Sequence, residues 1–160
     1  MQLEWEAHVA KSIPEGSVFL FPIKGRAPGL AVVARRVPRA RIVALYLFRE
    51  APPEALSGGE FDLPRPDQAT FRGRFSDYQL REGAWRALGI HPRFKRDEWP
   101  FKMVAHWPFG HSGEAIGLVM DDRNPVVVID SFPISDELAL TLPADALFAP
   151  EGMEEFVPPD

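Results

Sequence analysis

Two apolar runs near the start of the chain constrain its fold more than anything that follows them. "GSVFLFPI", residues 16–23, sets Val18, Phe19, Leu20 and Phe21 side by side. "ARIVALYLFRE", residues 40–50, puts Ile42, Ala44, Tyr46 and Phe48 on one strand face and Val43, Leu45 and Leu47 on the other. A strand with one solvated face alternates apolar and polar residues, so a strand that is apolar on both faces belongs inside a sheet covered on both sides. Pro22 removes a backbone donor just before the first run closes, marking where its pairing ends or turns to an edge.

The remainder of the chain is punctuated in the same way. Its 17 prolines are scattered, often bounding apolar runs, and this argues against long helices. Strands are expected at about 17–23, 29–36, 40–49, 69–75, 77–81, 84–90, 101–106, 115–121 and 125–130. "GLAVVARRV" and "ARIVALYLFRE", separated by Pro38 and Arg39, read as an antiparallel hairpin. "AIGLVMDDRNPVVVID" reads as another, turning at Asp121, Asp122, Arg123 and Asn124, with Pro125 opening the return strand. Helical signals are short: Pro52 to Leu56 stopped by Gly58, and a turn capped by Ser135 that runs through Leu140. The expected fold is α+β and mainly β, a strongly bent antiparallel sheet or small barrel with a few short helices. Residues 1–160 form one expected domain: an N-terminal extension (1–12), a β-rich core (13–142) and an acidic, partly frayed tail (143–160).

Cysteine is absent, which rules out disulfides, thiolate zinc sites and a cysteine nucleophile and fits a reducing, cytoplasmic location. The opening "MQLEWEAHVAKSIPEG" has acids before its first lysine and no apolar core, so no signal peptide is expected. No apolar stretch approaches the ~18 residues that span a bilayer, so no membrane partner is expected either.

Charge is distributed unevenly. Of 18 Lys and Arg, 17 lie at or before Lys102, whereas from Met103 onward eleven acids face Arg123 alone. Two arrangements fit this asymmetry. In one, the acidic part packs beside the arginine-rich strands and the charges compensate; in the other, the acids form a negative face for a basic partner.

Catalytic and ligand-binding patterns find little support. His106 and His111 in "AHWPFGHSG" are separated by a loop-forming segment, but Glu114 is the only near acid and no HExxH helix backs a zinc site. "GHSGE" fails as a nucleophile elbow because its second glycine comes one place early. Asp130 and Ser131 end an apolar run where enzymes place catalytic groups, yet such a pair more often caps a turn. With neither GxxxxGK[ST] nor GxGxxG, no nucleotide cofactor is expected. Arg35, Arg36, Arg39 and Arg41 could line a nucleic-acid surface, but a pI near 5.4 argues against direct nucleic-acid binding. Trp85, Trp99 and Trp107 fall close together and suit a packed aromatic core, or one or two of them serve as exposed interface anchors.

Several segments, taken in order, resemble the immunity protein 26 family of bacterial polymorphic toxin systems. Gly16, Val18, Phe19, Phe21, Pro22 and Ile23 of "GSVFLFPI" match the family's opening strand, and "GLAVVARRV" resembles the strand that follows. "AWRALGIHPRFKRDEWPF" supplies a Trp strand ending in Gly, a Pro-containing connection and an aromatic WP segment through Trp85, Gly89, Pro92, Trp99 and Pro100. The resemblance covers roughly residues 13–107; the second strand lacks the aromatic–glycine pair of many members, and the acidic part after about Gly113 has no counterpart. It implies a cytoplasmic, non-catalytic protein without a cofactor that binds and blocks a cognate toxin domain. Many such toxins are nucleases with basic clefts, which an acidic face would suit. On the charge and aromatic patterns together, the candidate contact residues are Trp99, Trp107, Glu114, Asp121, Asp122, Asp130, Asp136 and Glu137. The alternative is a stand-alone binding module of unknown ligand.

Overall fold

The computed structural model of the chain describes residues 13–37, 39, 41–106 and 114–148. Nine strands are described: β1 (Ser17–Ile23), β2 (Arg26–Val37), β3 (Ile42–Phe48), β4 (Phe71–Ser76), β5 (Arg86–Ile90), β6 (Met103–His106), β7 (Ile116–Asp121), β8 (Asn124–Pro133) and β9 (Ala144–Phe148). Three short helices accompany them: α1 (Pro53–Ser57), α2 (Tyr78–Arg81) and α3 (Asp136–Ala139). The strands form one sheet in the order β5-β1-β2-β3-β4-β9-β6-β7-β8. Neighbours are antiparallel except β9, which runs parallel to both β4 and β6. The chain is thus α+β and mainly β as expected, but of the two expected forms only the bent sheet holds, because the sheet does not close into a barrel.

The doubly apolar runs take the interior positions their pattern demands. β1 lies between β5 and β2, and β3 lies between β2 and β4. Phe19, Phe21, Val33, Val43, Leu45 and Leu47 point to one face, where Leu80 and Trp85 pack on them. Val18, Leu20, Val32, Ala44, Tyr46 and Phe48 point to the other, against Trp99, Phe101, Val104 and Met120. Each fully buried side chain of this size contributes about 1.5–3 kcal/mol relative to exposure. Pro22 sits where predicted, exposed at the register shift between Phe21 and Ile23 that ends the regular β1–β2 ladder. Opposite Phe21, Gly29 leaves room for the Phe21 ring, since a Cβ there would stand 2.5 Å from two ring carbons and from the Phe48 carbonyl oxygen.

Tyr46 brings a hydroxyl into that second layer, and it donates a hydrogen bond to the Pro100 carbonyl oxygen. Its ring meets Trp99 edge-on at 5.0 Å between centroids, so a polar tip and an aromatic body together fix the segment leading into β6. Burial pushes this hydroxyl's pKa up despite the nearby Arg72 and Arg35.

A second feature of β2 re-aims a charge. The β2–β3 register shifts between Val33 and Arg35, so Ala34 is an extra residue. Such a bulge turns the following side chain to the opposite face. Arg35 therefore stands opposite Ala44, within the second layer, and is only 2% exposed. Its Nε and Nη2 donate to Asp122 Oδ1 at 3.2 and 3.1 Å, and Nη1 donates to the Ala34 carbonyl at 2.6 Å. Asp122 also accepts from Arg96 Nη1 at 2.6 Å through Oδ2, and Arg96 Nε reaches Glu15 at 2.9 Å. The β7–β8 turn is thereby tied to β2 across the bend of the sheet.

Two local expectations are corrected. Residues 77–81, read as a strand, form α2: Asp77 and Arg81 pair one helical turn apart at 2.7 Å, and Leu80 is buried. Five residues fit a strand and a helix period equally well, and the tertiary position of Leu80 decides between them. Residues 144–148, assigned to a frayed tail, form β9 between β4 and β6. Its partners are about 40–70 positions away in sequence, so no local pattern announces it. The expected extension 1–12 and the rest of the tail lie outside the described residues. The expected caps hold: Gly58 ends α1 in the left-handed conformation at φ 78°, and the Ser135 hydroxyl accepts from the Leu138 amide at 3.1 Å.

Asp122 offers a direct test of the arrangement. Breaking a buried ion pair costs about 3–5 kcal/mol, and because Asp122 is itself 40% exposed, Asp122→Ala is expected to lose about 2 kcal/mol in urea unfolding at pH 7. Burial tends to raise its carboxyl, but the hydrogen bonds and charges of Arg96 and Arg35 prevail and hold it below its ordinary value. A carboxylate depressed in the folded state adds stability above its unfolded pKa of about 3.9 and loses it as pH falls through the lower folded value. The stability difference between the native chain and Asp122→Asn should therefore shrink on passing from pH 7 to below about pH 4.

Candidate functional site

Beyond β6 the surface changes character. β8 ends the sheet, and among the described strands it pairs with β7 alone. Val127, Val128, Ile129 and Phe132 of β8 are 44, 44, 62 and 39% exposed, so the strand shows apolar side chains that the core does not claim. Pairing places them on two faces. Phe132 stands opposite Gly117 and lies over it beside Ile134 and Met103, while Val128 stands opposite Met120 on the core side. Ile129 is the extra residue at the shift between the Val119–Asp130 and Met120–Val128 pairs.

Backbone direction shows how much of this edge is open. The Ile134 amide donates inward to the Ala115 carbonyl, so by alternation Pro133 and Ser131 turn their backbone groups away from β7. Pro133 has no amide proton, and the Ser131 amide is held by Asp130 Oδ1 at 2.8 Å. Both devices blunt the C-terminal end of the edge against casual pairing. The apolar stretch before them is irregular as well: beyond the bulge at Ile129 the register shifts again between Met120 and Asp121, and Pro125 lacks an amide proton.

Acids surround this strand. Glu114 lies at its far end, next to the Ala115 that Ile134 bonds, and Asp136 and Glu137 follow in the first turn of α3, all three exposed. Asp130 is exposed mid-strand, and Asp121 sits at the turn, where its Oδ1 accepts from the Arg123 amide at 2.9 Å. These five stand as surface charge, as the negative-face arrangement requires. Asp122 does not: it is held between Arg35 and Arg96, and so satisfies the compensating arrangement instead.

Of the two tryptophans named as contact candidates, Trp99 is corrected to core. It is 2% exposed, ringed by Tyr46, Phe48 and Phe94 at centroid distances of 5.0, 6.1 and 6.0 Å, and has no face left for a partner. Trp107 lies outside the described residues, as do His111 and Ser112. His106 and Asp130 do not converge: β7 separates their strands, and the pairs His106–Ile116 and Val119–Asp130 put them on opposite faces. Strand spacing sets them roughly 14 Å apart. Among the described residues no three His, Asp or Glu side chains group to hold a metal ion. No described helix is long and apolar enough to cross a membrane.

Sequence reading missed the exposed side chains of β8. "VVVI" looks like any buried strand, and its one advance signal was the pair of prolines, Pro125 and Pro133, since proline within a sheet is confined to edges, strand starts and bulges. It also missed a cleft of about 340 Å³ between Arg26, Ala27, Pro28, Arg49, Glu50 and Ala51, both of whose arginines already make contacts.

The assignment of Trp99 to the core can be measured. Trp99→Ala should cost about 3–5 kcal/mol in denaturant unfolding, as expected of a buried Trp, whereas an interface residue would leave stability almost unchanged. No family model, no curated protein and no solved structure matches this chain.

Proposed function

We propose that this chain is a non-catalytic inhibitor, an immunity protein that binds a cognate bacterial toxin domain and blocks it by steric and electrostatic cover. The observation that carries this reading is the exposed apolar strand β8 set among Glu114, Asp121, Asp130, Asp136 and Glu137. Exposed apolar side chains gathered on one strand and rimmed by acids support a protein contact there. The acidic rim suits a toxin with a basic cleft, such as a nuclease, because complementary charge raises encounter rates and rejects acidic partners. The resemblance of residues 13–107 to immunity protein 26 points to the same class, and cytoplasmic residence follows from that class.

Co-expression provides the test. The toxic C-terminal domain of a large secreted protein encoded beside this chain should arrest growth when produced alone, and this chain should restore it. Continued arrest, or neighbours that encode no toxin, would leave a stand-alone binding module in its place. With such a toxin in hand, the association rate should fall at least tenfold between 50 and 500 mM salt, on the scale of electrostatic steering. An unchanged rate would remove the acidic face from the mechanism.

A further inference from the structure

We infer that the turn joining β2 to β3 is a second contact surface, a cationic one, which takes an acidic, carboxylate-rich segment of a partner protein. The inference goes beyond the toxin reading and does not rest on it, because this turn is separate from the acidic hairpin that carries that reading. From residue 24 to residue 49 the chain holds seven basic residues and no acid. Arg36, Arg39 and Arg41 gather at the tip of this segment, around the Val37–Ile42 pair that closes the β2–β3 ladder.

The backbone of the tip is strained where two of these arginines stand. Arg39 and Arg41 have φ of 71° and 53°, and among the described residues they alone take positive φ without being glycine. That left-handed region crowds the Cβ of an ordinary side chain, and glycine or asparagine occupies it at less cost. Strain of this kind gathers at binding and active sites. Both strained positions carry a guanidinium, and both are exposed.

The charges of the tip are also unspent. Many other arginines are paired: Arg35 and Arg96 with Asp122, Arg65 with Asp67, Arg81 with Asp77, and Arg93 with Asp62. Among the described residues, the side chains of Arg36, Arg39 and Arg41 make no hydrogen bond or ion pair. Asp77 lies alongside, its amide donating to the Arg41 carbonyl at 3.0 Å, but its carboxylate is taken by Arg81 at 2.7 Å. Tyr78 follows it and is 53% exposed.

These residue types identify the occupant. A guanidinium matches a carboxylate with two parallel hydrogen bonds, and Arg and Tyr are enriched among the residues that dominate protein interfaces. Nucleic acid offers the same anionic chemistry, but a long polyanion would extend past the tip onto a chain of net charge −5. A short acidic segment ends where the arginines do.

End-blocked octaglutamate is the probe, titrated into the isotope-labelled full chain at 50 mM salt and read from amide shifts in nuclear magnetic resonance. Octalysine and a single-stranded DNA of eight phosphates serve as comparisons. Octaglutamate should bind saturably and move the amides of Arg36, Arg39, Arg41 and Tyr78, and its affinity should fall at least tenfold by 500 mM salt. The double variant Arg39→Asn with Arg41→Asn should weaken binding at least tenfold while its unfolding midpoint holds or rises, because asparagine tolerates the left-handed region. Arg36→Gln, which leaves the turn untouched, should weaken binding severalfold. No binding, equal binding of octalysine, binding that the double variant leaves intact, or shifts confined to other residues overturns the proposal. So does a fall in that midpoint, which would make the arginines supports of the turn. Tighter binding of the DNA at the same residues overturns it in favour of nucleic acid, and a dimer in sedimentation that the double variant abolishes overturns it in favour of the acids of a second copy. Growth protection is scored separately: its loss with octaglutamate still bound removes the toxin and leaves this site, and its retention without octaglutamate binding removes this site and leaves the toxin.

Discussion

The buried guanidinium of Arg35 governs the shape of this molecule. A charge in an apolar layer must be paired and hydrogen-bonded or it destabilises the fold by several kcal/mol. At 2% exposure Arg35 has little water to turn to, and its carboxylate partner comes from the β7–β8 turn, 87 positions along the chain. Satisfying that one group bends the sheet until its last hairpin reaches β2. The sheet is therefore closed by an ion pair where a barrel would be closed by a ladder. Leaving the ladder open is what keeps β8 an edge.

Around this tie the two layers divide their work. β1, β2 and β3 are covered on both faces and form the core proper, with aromatic contacts of Tyr46, Phe48 and Phe94 gripping Trp99 on one side and Phe21 packed on Trp85 on the other. β6, β7 and β8 extend this sheet through β9, which splices two antiparallel blocks by pairing in parallel with both. The extension receives less cover as it proceeds. By β8 every residue whose exposure is described is open to solvent, so the strand best placed for a partner is the one the core needs least.

Much of this was legible in local pattern. Runs apolar on both faces located β1 and β3, turn chemistry located both hairpins, and Ser135 and Gly58 located helix ends, because each depends on residues within a few positions of one another. Patterns of four or five residues failed. Tyr78–Arg81 became helix because Leu80 found a pocket, and Ala144–Phe148 became a central strand because β4 and β6 left a slot. The candidate site was half legible. Its acids were visible as a charge imbalance, but Asp122 is held by Arg35 and Arg96, Trp99 belongs to the interior, and the apolar residues of β8 looked like core until their exposure became apparent.

The sequence by itself determined that the chain would be mainly β, with doubly covered central strands, short helices and an acidic C-terminal third, because periodicity, proline and charge act locally and need no fold to be read. Tertiary structure alone decided where β9 inserts, which aspartate is spent on Arg35, and which hydrophobic strand lies at the edge. Those outcomes depend on contacts between distant segments and on a one-residue bulge at Ala34 that turns Arg35 to the other face. Composition is the same whether a Val–Val–Val–Ile run ends a sheet or lies at its centre; what differs is the presence of a neighbouring strand, and that is a property of the assembled sheet.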